Sequence, residues 1–142
     1  MENLFQSAKY LLFSFHRRNE VVSLPNRAIP YLDLTYLLEG NMEYYYNDER
    51  ILLRAGDAIL YPPGSVRQRI YSSAPAYYAS FNIEFTKSFQ SPICGHLPKC
   101  IRSSTPVLLE TFKKEFTSVS PHKQEKCASI FSYLYYQLLD TA

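Results

Sequence analysis

The segment from Leu38 to Tyr71 constrains the fold more than any other, because turn residues interrupt it at short intervals. Between the turns, apolar and polar residues alternate, and alternation of period two is typical of half-buried strands. The turn sequences are Gly40-Asn41, Asn47-Asp48, Gly56-Asp57 and Pro62-Pro63-Gly64. Such short spacing leaves no room for the crossovers that parallel strands need. We therefore predict an antiparallel sheet with tight turns.

The alternation extends to both sides of this segment, which predicts an all-β barrel or sandwich up to about residue 85. The predicted strands cover residues 10–16, 31–38, 42–47, 50–54, 58–61, 66–71 and 77–85. Residues 86–104 show no clean period and contain two prolines and a glycine. We interpret them as a connection that crosses the barrel surface.

Two amphipathic helices are predicted after residue 104, where the apolar period changes to about 3.6 residues. Thr105-Pro106 supplies a cap residue and a first-turn proline for a helix over 106–118, and Ser120-Pro121 supplies a second opening. The second helix carries a wide apolar stripe, formed by Cys127, Ile130, Phe131, Leu134, Tyr135 and Leu138. A stripe of this width must pack on another surface.

Composition and charge exclude several classes of protein. The chain of 142 residues is 46% hydrophobic, which excludes disorder, and its net charge of +2 argues against nucleic acid as the main partner of this segment. The three cysteines are an odd number without short paired spacing, which favours a reducing cytoplasm. The apolar run of residues 10–15 is far shorter than the roughly 20 residues of a membrane span. We predict a cytoplasmic protein with no membrane partner.

The turns resemble those of the cupin family, whose small barrels carry metal ligands at set positions. Gly56, Pro62 and Gly64 match the second cupin motif, and Glu49 matches the glutamate of the first. The remaining ligand positions hold other residues: Glu43 and Tyr45 or, with the alternative spacing, Met42 and Tyr44 in the first motif, and Arg67 and Tyr71 in the second.

An arginine at a metal-ligand position argues against a metal centre, because a permanently charged guanidinium repels a cation. Zinc, iron and manganese also need three or four converging donors. We therefore predict no metal, no cofactor and no catalytic residues. A metal-dependent cupin enzyme, either an isomerase or a dioxygenase, is the alternative.

Within the cupins, residues 8–142 resemble the N-terminal sensing domain of the AraC family of bacterial transcription regulators. The similarity rests on the Gly-Asp and Pro-Pro-Gly turns without metal ligands, on the connector Leu97-Pro98-Lys99-Cys100-Ile101 and on the two helices. It implies a mainly β fold, a cupin-like jelly-roll barrel over 1–104 followed by two C-terminal α-helices over 105–142. It also implies a small effector, often a sugar, in the barrel.

The resemblance further implies a homodimer formed by the second helix and a separate DNA-binding domain that is absent from this chain. The helical pattern is still running at Ala142, which agrees with a piece of a longer protein. The predicted dimer contacts are the stripe residues Cys127, Ile130, Phe131, Leu134, Tyr135 and Leu138. The alternative is that this stripe packs on the chain's own barrel and first helix.

The predicted ligand residues are polar side chains that share strand faces. Side chains alternate along a strand, so Arg67 and Arg69 share one face, but Val66 and Ile70 would then point outward. Effector binding is predicted to shift a conformational equilibrium, with residues 1–20 closing over the ligand. A further alternative is a barrel filled by its own tyrosines. The full predicted set is Arg67, Arg69, Ser80, Asn82, Arg27, Asp33 and Thr35.

Overall fold

The computed structural model describes residues 4–141, and in that part of the chain nine strands precede two helices. The strands are β1 (Lys9–Arg18), β2 (Leu24–Ala28), β3 (Leu32–Glu39), β4 (Asn41–Tyr46), β5 (Glu49–Arg54), β6 (Ala58–Tyr61), β7 (Val66–Arg69), β8 (Ala76–Glu84) and β9 (Gly95–Leu97). The helices are α1 (Thr105–Phe116) and α2 (Lys123–Thr141).

The strands form two sheets that face each other as a barrel. The larger sheet has the order β1-β8-β3-β6-β9, and the smaller has the order β2-β7-β4-β5. All pairings between these strands are antiparallel. The predicted jelly-roll barrel followed by two helices is confirmed.

All seven predicted strands are present, with ends shifted by at most a residue or two, but β2 and β9 were not predicted. The sequence of β2, LPNRA, contains Pro25 and shows no alternation. Proline is tolerated there because β2 lies at a sheet edge, where a missing N–H leaves no ladder bond unmade. Strand β9 has only three residues and adds an edge to the larger sheet within the predicted connector.

The hairpin between β4 and β5 shows why its turn residues were informative. Asn47 and Asp48 have φ values of 50° and 63°, the left-handed conformation that a type I′ hairpin turn requires at both positions. This turn places Tyr46 opposite Glu49 and sets the register of the pair.

The larger hydrophobic core lies between the outer face of the five-stranded sheet and the two helices. Phe81 of β8 meets Phe112 of α1 and Phe131 of α2, with ring centroids 4.8 Å and 5.1 Å apart. A smaller core fills one end of the barrel interior and includes Met42 and Tyr44. No helix among the described residues has the length and apolarity needed to cross a lipid bilayer.

The apolar stripe of α2, predicted as the dimer contact, packs in this structure against the chain's own sheet. Five of its residues are buried in the larger core, namely Cys127, Phe131, Leu134, Tyr135 and Leu138. Ile130 is partly buried against the same core. The outer face of the sheet is itself apolar, and the stripe is what covers it.

The N-terminal segment is built into the fold. Residues 9–18 of the predicted closing arm form β1, which pairs with β8 along its whole length. Gln124 of α2 donates hydrogen bonds to the carbonyls of Gln6 and Ala8, at 3.0 Å and 2.7 Å. Lys113 of α1 donates to the carbonyl of Phe15 at 2.8 Å. Residues 1–3 of the predicted arm lie outside the described residues.

Candidate functional site

Strand β7 carries its arginines on the inside of the barrel and its apolar residue on the outside. Arg67 and Arg69 are 7% and 8% exposed, whereas Val66 is 47% exposed. This arrangement inverts the usual pattern of a half-buried strand, because a charged group inside a barrel must find a partner or a ligand.

A cavity of about 290 Å³ opens between the sheets where these arginines lie. Its size is close to the low end of the roughly 300–1,000 Å³ typical of small-molecule sites, so it suits a compact ligand. It is lined by Leu12, Ser14, Arg18, Leu24, Asp33, Arg67, Arg69, Tyr78, Ser80 and Asn82.

A larger depression of about 560 Å³ lies outside the barrel, around the hairpin turn at Asn47 and Asp48. Its lining includes the exposed residues Asn26 and Val66 and the half-buried Gln68. Asn26 already donates to Gln68 at 3.0 Å. We place the candidate site in the interior cavity instead, because the charged side chains that meet there, Asp33, Arg67 and Arg69, are each less than 9% exposed.

Asp33 and Arg67 form a buried ion pair in the cavity wall. One terminal nitrogen of Arg67 donates to Asp33 Oδ2, and the Arg67 Cζ atom lies 5.5 Å from the centre of the Tyr31 ring. The Nε atom of Arg67 is buried and has no hydrogen-bond partner among residues 4–141. One donor of this guanidinium therefore has no partner within the described part of the chain.

A chain of hydroxyl groups links the second carboxylate oxygen of Asp33, on β3, to the neighbouring strand β8. Thr35 Oγ1 donates to Asp33 Oδ1 at 3.3 Å, and Ser80 Oγ lies 2.8 Å from Thr35 Oγ1. Because Thr35 uses its only proton on Asp33, Ser80 is the donor in the second bond. Asp33 thus orients both Arg67 and the hydroxyl of Thr35.

The ionisation of this pair reflects competing effects. Burial raises the pKa of Asp33, and the neighbouring Arg67 and Arg69 only partly oppose that shift. Burial by itself lowers the pKa of Arg67, but the charge and the hydrogen bond of Asp33 outweigh it and raise the pKa overall. Arg67 is therefore a permanent cation inside the barrel.

Arg69 has no acidic partner in the described part of the chain. Its Nε donates to the carbonyl of Val22 at 2.8 Å, and its Cζ lies 5.5 Å from the ring centre of Tyr78. Arg18, on the exposed side of the same cavity, makes no ion pair with a described residue either. The cavity therefore contains three guanidinium groups and one carboxyl group.

The structure brings five of the seven predicted ligand residues together in the cavity lining: Asp33, Arg67, Arg69, Ser80 and Asn82. Thr35 is buried directly behind Ser80 and Asp33. Arg27 is exposed on the edge strand β2 and is outside the lining of this cavity. Asn82 donates to the Phe81 carbonyl at 3.0 Å through its amide nitrogen.

Residues of β1 were missed by sequence reasoning although they line the cavity. Ser14 lies directly opposite Ser80, and Leu12 lies opposite Asn82, in the pairing of β1 with β8. A single serine in the apolar run YLLFSF was the available signal, because a polar residue on one face of such a strand needs a polar surrounding. The partner strand, however, is more than sixty residues away in sequence.

The positions that correspond to cupin metal ligands make other contacts. Glu43 accepts two hydrogen bonds from Arg50, at 2.9 Å and 3.1 Å, and Glu49 is exposed. Among the described residues, no three His, Cys, Asp or Glu side chains are grouped as a metal site would require. The arrangement of the cavity favours binding through guanidinium, hydroxyl and amide groups.

The family model of the AraC-like ligand binding domain matches residues 12–93, which is more than half of the chain. The chain belongs to this family. Every residue that lines the interior cavity lies within the matched range. No curated protein matches the sequence.

Several solved structures are similar to the AraC-like domain. A Cupin 2 conserved barrel domain protein from Salinispora arenicola is 21% identical, with a TM-score of 0.41 over 52% of this chain and 72% of that one. YhaK from Escherichia coli is 18% identical, with a TM-score of 0.46 over 64% and 43%. AerE from Microcystis aeruginosa is 21% identical, with a TM-score of 0.46 over 58% and 40%.

Proposed function

We propose that this chain is the effector-sensing domain of an AraC-type transcription regulator and that its interior cavity binds a small polar effector. The observation that supports the proposal is the cavity between the sheets, where Arg67, Arg69 and Ser80 line one space. Family membership supports ligand binding as the role of the barrel. A sugar or sugar derivative suits the hydroxyl and amide groups of the lining.

The cavity groups divide into those that contact the effector and those that position them. Arg67, Arg69, Ser80 and Asn82 are proposed contacts, since guanidinium forks and neutral polar groups can bind oxygen atoms directionally. Asp33 lines the cavity but positions Arg67 through the ion pair. Thr35 positions Ser80 through a hydrogen bond between their hydroxyl groups, so its contribution to binding is indirect.

The effector is proposed to act through β1. Ser14 lines the cavity, while the neighbouring carbonyl of Phe15 accepts a hydrogen bond from Lys113 of α1. A ligand that contacts one conformation of β1 better than another shifts the population by the difference in affinity. A change in the conformation of β1 would also change its contacts with the helices, because α1 and α2 are both hydrogen-bonded to the N-terminal segment.

We further propose that residues 105–142 mediate a cytoplasmic homodimer and that a domain outside this chain binds DNA. Because the apolar stripe of α2 is buried, the proposed contact uses the opposite face, where Tyr133 and Tyr136 are each 58% exposed. Ser129, Tyr133, Tyr136 and Asp140 follow the alternating spacing of a coiled-coil seam. Light scattering tests this: the double variant Tyr133→Glu and Tyr136→Glu should be a monomer, whereas Val107→Glu on α1 should remain a dimer.

The alternative function is a metal-dependent cupin enzyme. It requires three or four donors around one ion, and elemental analysis of the purified protein discriminates between the two functions. Stoichiometric iron, manganese or zinc would favour the enzyme.

A thermal-shift screen against sugars and sugar acids tests the sensing function, because a ligand of the folded state raises the melting temperature. For any compound that stabilises the protein, Asn82→Leu should lower the affinity, and Gln68→Ala, on the outer side of β7, should leave it unchanged. Equal losses in the two variants would contradict binding inside the barrel.

A further inference from the structure

We infer that the effector carries a negative charge and that Arg69, together with Arg67, binds its carboxylate or phosphate group. The inference rests on the proposed sensing function and adds the chemical class of the ligand. Its basis is an imbalance of charge that the fold itself does not correct.

Arg69, a buried arginine of the cavity, lacks the acidic partner that two exposed arginines of the same domain have. On the surface, Arg50 lies 2.8 Å from Glu43, and Arg17 lies 2.5 Å from Glu39. In the cavity lining, Asp33 is the one acid beside the two buried arginines, Arg67 and Arg69, and Arg18 lies at the exposed side. The cavity therefore keeps an excess of positive charge even when Asp33 is ionised.

Burial makes that excess significant. Charges removed from water lose hydration, and they are usually retained only where a partner or a ligand compensates for the loss. Arg69 is 8% exposed, donates to a backbone carbonyl and lies beside an aromatic ring, but it makes no ion pair with a described residue; Asp33, which acts on it electrostatically, is paired with Arg67. An anion bound beside it would supply the missing counter-charge, whereas a neutral sugar would not.

The geometry of β7 also fits a single oxyanion. Arg67 and Arg69 project to the same side of one strand, and alternate residues of a strand are about 7 Å apart. Two guanidinium groups at that spacing can flank one carboxylate or phosphate. The Nε of Arg67 is itself buried, so the contacts to such a ligand would come from the terminal nitrogens of the two guanidinium groups.

The other residues of the cavity lining restrict the remaining part of the ligand. Ser14, Ser80 and Asn82 offer neutral polar groups, and a volume of about 290 Å³ limits the ligand to a compact molecule. These features fit a hydroxylated acid, such as a sugar acid or a sugar phosphate. Arginine binds a carboxylate and a phosphate in the same way, so the probes are chosen to distinguish the two groups.

The test compares matched neutral and charged compounds at constant ionic strength, because salt screens the interaction. The matched pairs are galactose with galacturonate, and glucose with glucuronate and with glucose 6-phosphate; inorganic phosphate is compared with chloride, an anion that is not an oxyanion. Melting temperatures and calorimetric titrations are measured for the wild type, for Arg69→Gln and for Arg50→Gln, an exposed arginine outside the cavity. Arg69 is chosen because replacing Arg67 would leave Asp33 unpaired.

We expect at least one oxyanion probe to stabilise the wild type and Arg50→Gln, and its affinity to fall at least tenfold in Arg69→Gln. Circular dichroism of the variants verifies that they are folded. Neutral sugars that bind as tightly as their acids would overturn the anionic ligand while leaving the sensing function intact. Stabilisation by an oxyanion that persists in Arg69→Gln would also overturn it. A panel without any binding compound would count against both proposals.

Discussion

The two faces of the five-stranded sheet use the same strands for different purposes. On β3, Leu34 and Tyr36 pack against the helix side, whereas Asp33 and Thr35 belong to the polar network of the barrel interior. On β8, Phe81 contacts both helices, and Ser80 and Asn82 line the cavity. Alternation along a strand thus separates the residues that stabilise the fold from those proposed to bind a ligand.

The difference between the faces is one of redundancy. On the outer face, many rings share the packing, since Phe131 also contacts Phe5 and Tyr10. On the inner face, each charged group has few partners, and one change leaves another group without compensation. Variants on the two faces should therefore separate stability from binding.

The largest expected effect is on the outer face. Phe131→Ala removes a fully buried ring between α2 and β8 and should lower the free energy of unfolding by about 4 kcal/mol. Urea denaturation measures the loss, and the affinity of the remaining folded protein for its ligand should be unchanged. A loss below about 1 kcal/mol would show that the outer face is not the main stabilising core.

A somewhat smaller effect is expected for Arg67→Gln, which breaks the buried ion pair and leaves Asp33 uncompensated. We expect a loss of about 3 kcal/mol, at the low end for buried pairs because the cavity is open to solvent. The double variant Arg67→Gln with Asp33→Asn should recover part of that stability. Urea denaturation that shows no recovery would contradict the pairing.

The pKa of a second carboxyl group, that of Asp57, shifts in the opposite direction to the pKa of Asp33. Burial by itself would raise the pKa of Asp57, but hydrogen bonds from the Lys99 N–H, His96 and the Arg54 N–H outweigh it and lower the pKa. A lowered pKa in the folded state stabilises the protein above the unfolded value of about 3.9, and this contribution is lost as the pH falls through the folded value.

Asp57→Asn should therefore destabilise the protein by about 1 to 2 kcal/mol at neutral pH, through weakened charged hydrogen bonds. The difference in melting temperature between this variant and the wild type should shrink as the pH is lowered from 7 toward 3. A difference that stays constant over this range would contradict the lowered pKa.

The smallest change in stability is expected for Arg69→Gln. This residue has no acidic partner within the described residues, so the change costs about 1 kcal/mol or less, mainly through the hydrogen bond to Val22. Its effect on ligand affinity should nevertheless exceed that of the outer-face variant. Urea denaturation of Arg67→Gln and Arg69→Gln side by side measures both losses of unfolding free energy. Equal losses would contradict the view that Arg67 has a buried acidic partner and Arg69 does not.

Local patterns were sufficient to predict much of this architecture. The period of two placed Arg67 and Arg69 on one face with Val66 on the other, and the structure has the same arrangement. The turn at Asn47-Asp48 followed from residue types that tolerate positive φ. Such features depend on neighbours in sequence, so they are visible without tertiary information.

Features that depend on distant pairing were not predictable. The stripe of α2 had the correct period, but a periodic pattern does not say which surface it covers, and that surface is the chain's own sheet. The place of Ser14 in the cavity depends on the pairing of β1 with β8. Strand β2 was not predicted because it contains Pro25, which argues against a strand. In each case a long-range contact decides the outcome.

The most direct test of the central claim is the side-chain NMR spectrum of ¹⁵N-arginine-labelled protein during titration with an oxyanion probe at constant ionic strength. Resonances of Arg67 and Arg69 are assigned from the two glutamine variants. We predict that both Nε signals shift as the probe binds, while that of Arg50, paired with Glu43 on the surface, stays in place. Equal shifts for all three arginines, or none for the cavity pair, would contradict a receptor site inside the barrel.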